Sequence, residues 1–92
     1  MTGAASPVLM SELVRRALML ADQAVIADIE SEGFGMHFEG MNWYDVRPML
    51  DEREHSLQVI DMAREALEYA RQRGLIARHP DHSHLVRIVR QH

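Results

Sequence analysis

From Pro7 to about Glu32 apolar residues recur at helical spacing. Val14, Leu18, Ala21 and Val25 form one stripe, and Leu13, Ala17, Leu20, Ala24 and Ala27 form a second beside it. The pattern predicts a helix over 7–32, with Ser6 as cap, Pro7 at the first helical position and Gly33 as the stop. Its opposite face carries Glu12, Arg15, Arg16, Gln23 and Glu30, with Met19 and Ile26 set among them. So wide an apolar surface asks for more than one packing partner, which points to a homo-oligomer.

Residues 33–45 are broken by Gly33, Gly35 and Gly40 and hold large side chains such as Phe34, Phe38, Trp43 and Tyr44. This reads as a packed loop with a short extended stretch at Met36–Glu39. A second helix is expected over 46–73, capped by Asn42 or Asp45, with Pro48 in its first turn and Gly74 after its end. Leu50, Leu57, Ile60, Ala63, Leu67 and Ala70 make its core stripe. In the tail, Asp81 caps a short third helix presenting Leu85, Ile88 and Val89. A strand over Leu85–Val89 is the alternative, because Arg87 interrupts an apolar run. The expected fold class is therefore all-α, a long antiparallel helical hairpin plus a short C-terminal helix. Homo-oligomerisation would complete a helix bundle. Residues 1–6 form a loose tail and 7–92 a single helical domain.

Composition narrows the function classes. At 92 residues the chain is one small domain, for which oligomerisation is a common source of stability. Its net charge of −4 argues against nucleic acid as a partner. There is no Cys, so any metal would need nitrogen and oxygen ligands. No run is apolar enough to span a membrane, and the N-terminus lacks the pattern of a secretory signal. No membrane partner and a cytoplasmic location are the expectation.

Candidate chemistry centres on Glu52 and His55. At a spacing of three they would share one face of the second helix, as a carboxylate and an imidazole do in helix-bundle metal sites. That face continues into Val59, Met62, Ala66 and Tyr69. On the first helix, the stripe through Val14, Leu18, Ala21 and Val25 continues into Asp28 and Glu32. In an antiparallel hairpin those ends are neighbours, and two copies would supply the ligands of a two-metal site. His79, His82 and His84 form a second cluster, read as a polar turn. Met19 and Ile26, with Trp43 and Tyr44 from the loop, are the interface candidates.

The run Asn42-Trp43-Tyr44-Asp45-Val46-Arg47, followed by Asp51-Glu52-Arg53-Glu54-His55, resembles the encapsulated ferritin-like proteins. The resemblance implies a two-helix protomer that dimerises around an iron site between subunits. Glu52 and His55 would be ligands, Tyr44 would lie nearby, and the activity would be ferroxidase-like. Two functions follow as expectations. The first is a small helical, oligomeric interaction or accessory protein without catalytic activity, whose partners are itself and another protein. The alternative is a ferritin-like, carboxylate-bridged iron-binding protein.

Overall fold

The computed structural model describes residues 7–89, with side chains from Met10 onward. Helix α1 spans Pro7–Glu32, strands β1 and β2 span Phe34–Phe38 and Met41–Asp45, and a 3-10 turn, η1, spans Arg47–Leu50. Helix α2 spans Leu57–Gln72, and strands β3 and β4 span Ile76–Arg78 and Leu85–Ile88. The strands form one antiparallel sheet in the order β1-β2-β4-β3. The fold is α+β.

This sheet overturns the all-α expectation, and with it the helical hairpin, the helix bundle and the short C-terminal helix. Helix α1 has the predicted bounds, although its cap Ser6 and the tail 1–6 lie outside the described residues. The predicted helix 46–73 is cut in two. Asp51 and Ser56 both adopt extended backbone. Asp51 Oδ1 accepts the Arg53 N–H at 2.9 Å, and Ser56 Oγ accepts the Val59 N–H at 3.3 Å. Short polar side chains thus take backbone donors that a continuous helix would have used, and α2 starts afresh behind its own cap.

The predicted loop is a hairpin. Phe34 pairs with Asp45, Met36 with Trp43 and Phe38 with Met41. Glu39 and Gly40 make the two-residue turn, both with positive φ, at 54° and 78°. That is the turn whose twist suits two antiparallel strands. At the α1–β1 junction Gly33 is required by space, because a Cβ there would lie 2.6 Å from the Ile29 carbonyl oxygen. Helix α2 closes on Gly74, with φ of 73°. Leu75 N–H bonds the Ala70 carbonyl and Gly74 N–H the Arg71 carbonyl, which satisfies the last acceptors of the helix.

Val25 and Ile29 of α1, Val46, Met49, Ala70 of α2, Ile76 and Val86 form the core. Of the predicted α2 stripe, Ala70 belongs to this core, Leu50, Ala63 and Leu67 pack against it and Ile60 is buried, whereas Leu57 is 68% exposed. Only the C-terminal part of α1 reaches this core. The rest of the helix runs past the body, and the molecule measures 56 × 34 × 20 Å.

Candidate interaction site

Two surfaces stand out once the fold is assembled, and the first is α1. Met10, Leu13, Val14, Met19 and Leu20 are all exposed large apolar residues, Leu20 at 66%. Ala17, Ala21, Ala24 and Ala27 are exposed as well. The body covers the other side of the helix, where Leu18, Asp22 and Ile26 are half-buried and Val25 and Ile29 buried. The predicted stripe of Leu13, Ala17, Leu20, Ala24 and Ala27 is thus exposed, the stripe of Val14, Leu18, Ala21 and Val25 is only partly covered, and the long second helix expected against them is replaced by a short helix and a sheet.

A polar clamp sets the angle of α1. Asp22 accepts the Tyr69 hydroxyl at 2.8 Å and the Arg73 guanidinium at 3.2 and 2.7 Å, fastening mid-α1 to the end of α2. Arg73 holds the Asp22 carboxyl below its ordinary range, chiefly by these bonds, and burial partly offsets the effect. The bond to Asp22 raises the Tyr69 hydroxyl in turn. Pairing across 47 and 51 residues leaves no local signal, so sequence reasoning missed it.

The second surface is a groove of about 380 Å³ between α2 and the β3–β4 hairpin. Val46, Leu50 and Leu67 line it with apolar surface, and Arg47, Arg64 and Arg78 line it with positive charge. Glu68 is the one carboxylate in the lining and is already bonded to Arg71. Arg47 is oriented by Asp45, whose carboxylate takes the Arg47 backbone N–H at 2.9 Å and its guanidinium at 2.6–3.0 Å. Asp61 is 4.0 Å from Arg64, and the charge of Arg78 helps to hold the Glu68 carboxyl below its ordinary range, after the bonds from Arg71. The result is a concavity lined by three arginines and one glutamate on a net-acidic chain.

A histidine cluster lies in the β3–β4 connection, and its His84 reaches the groove lining. His79 is buried, with its ring 4.8 Å from those of Trp43 and His82 and 5.7 Å from Phe38. Its Nδ1 accepts the Asp81 N–H at 3.0 Å, so its proton sits on Nε2 and is donated to Glu39 at 3.0 Å. This cluster joins the two hairpins. Within the turn read at His79–His84, His79 is thus an internal fastening with both ring nitrogens bonded, while His82 is exposed.

The predicted metal residues fall differently. Glu52 and His55 sit in the turn before α2, off any helical face, with Glu52 exposed and His55 Nε2 3.2 Å from the Pro48 carbonyl. Asp28 and Glu32 are exposed on α1. Among the described residues no three His, Asp or Glu side chains are grouped to hold a metal ion. Of the interface candidates, Met19 is exposed and Ile26 half-buried. Trp43 is buried and donates its indole N–H to the Phe38 carbonyl at 2.9 Å, and Tyr44 lies against the core.

No family model matches this chain, nor does any curated protein or solved structure. The function is therefore argued from these surfaces alone. Among the described residues no helix is long and apolar enough to cross a membrane.

Proposed function

We propose that this protein is a non-catalytic, self-associating adaptor. One observation carries the reading: more than half the length of α1 presents an exposed apolar face that its own body does not cover. Contiguous apolar surface of this kind marks a protein interaction site. The arginine-rimmed groove is the second contact surface. Its apolar lining and positive rim suit an acidic segment of a partner protein carrying apolar anchors.

Nucleic acid is the other class of partner that a groove lined by arginines could take. Electrostatics favours a protein partner here. The exposed face of α2 carries Asp61, Glu65 and Glu68, which would oppose a phosphate backbone, beside Leu57 and Met62, exposed at 68% and 62%.

The test is the mass of the full chain in solution over a range of micromolar concentrations. A dimer or larger species that Leu20→Glu converts to monomer, with helicity retained, is the expected result. A wild-type chain that is monomeric throughout would refute the reading.

A further inference from the structure

The exposed face of α1 has a finer order than a broad stripe. Met10, Leu13, Ala17, Leu20, Ala24, Ala27 and Ser31 follow one another at alternating steps of three and four. That is the seam of a coiled coil, and every one of these residues is exposed. Flanking the seam on one side are Arg16, Gln23 and Glu30, seven residues apart, and on the other Val14, Ala21 and Asp28. These flanking residues are exposed too.

We propose that α1 pairs antiparallel with α1 of a second copy, about a twofold axis midway between Leu20 and Ala24. The inference rests on the self-association reading and names its partner and register. Charge supports it first. In this register Arg16 faces Glu30 of the second copy, Glu30 faces the second Arg16, and the two Gln23 side chains meet at the axis. The flank is complementary to itself when reversed.

Side-chain volume supports the same direction. Antiparallel layers set Leu20 against Ala24, Leu13 against Ser31 and Ala17 against Ala27, so neither leucine faces a leucine. A parallel pair would stack Leu20 on Leu20 and Ala17 on Ala17, alternating bulky layers with voids. It would also bring the two acidic ends, with Asp28 and Glu32, side by side, along with both globular bodies. The small residues at the centre let the helices approach to the close end of the ~8–10 Å range.

Charge exchange tests the register. Arg16→Glu and Glu30→Arg are made singly and together in the full chain, with circular dichroism confirming the fold, and masses are measured by sedimentation. Each single variant should self-associate about tenfold more weakly, because two attractive pairs become repulsive. An equimolar mixture of the two single variants should form a heterodimer, and the double variant should regain wild-type association. A dimer indifferent to both exchanges, or weakened singles that do not associate when mixed, would overturn the register while leaving self-association intact. A monomeric wild-type chain would end both.

Discussion

Asp45 is the buried carboxylate among the described residues, and Arg47 makes its burial tolerable. The bonds from Arg47 hold its carboxyl below the ordinary value, against the opposing effect of burial, and nearby His84 adds to the lowering. A carboxylate whose folded value lies below its unfolded one stabilises the fold above the unfolded value, near 3.9. That contribution fades as pH falls through the folded value. Urea unfolding followed from neutral pH into the acid range should show the loss. Asp45→Asn should be less stable at neutral pH and lose less on acidification. An unchanged acid profile would mean the pair is not linked to folding. Glu39 illustrates a different constraint. A non-glycine residue at a φ of 54° is held there by its surroundings, and here its carboxylate bonds His79 on the other hairpin.

At the scale of elements, legibility followed the range of the forces involved. Helix α1 was read to its bounds because Pro7 and Gly33 punctuate a long, regular pattern. The second half of the predicted 46–73 helix survived for the same reason, as α2. Its first half failed because Asp51 and Ser56 are helix formers only when their side chains leave the backbone alone, and here they bind it. The hairpin at 34–45 did carry a signal, since Glu39-Gly40 separates two runs rich in strand formers. Three glycines outweighed it in the reading, although Gly33 serves close packing and Gly40 the turn. The groove was not legible at all, because Arg47, Arg64 and Arg78 meet only through the sheet order. Ser56 offers a direct check on the corrected helix start. Ser56→Ala should cost about 1 kcal/mol in chemical unfolding. Glu52→Ala, in the turn outside the helix, should leave stability nearly unchanged, and a reversed order would restore the longer helix.

For the whole molecule, the distribution of charge separates two kinds of contact. The apolar seam of α1 is suited to a copy of itself, whereas the arginine groove calls for an opposite charge from elsewhere. A labelled peptide of alternating Leu and Asp should bind the groove saturably, and more weakly as salt rises. Arg78→Glu should abolish that binding, and Arg53→Glu, outside the groove lining, should preserve it. Fluorescence anisotropy distinguishes these outcomes, and binding that survives Arg78→Glu would place the peptide elsewhere. The attachment of the body to the middle and C-terminal part of α1 then has a consequence for reach. At ~1.5 Å per residue the 26-residue helix is roughly 39 Å long. Paired antiparallel in the proposed dimer, two such helices would carry their bodies on opposite sides of the twofold axis, and the pair of grooves would act as a bivalent gauge. A partner bearing two acidic segments at the matching span would be held far more tightly than one bearing a single segment, with no new contact made.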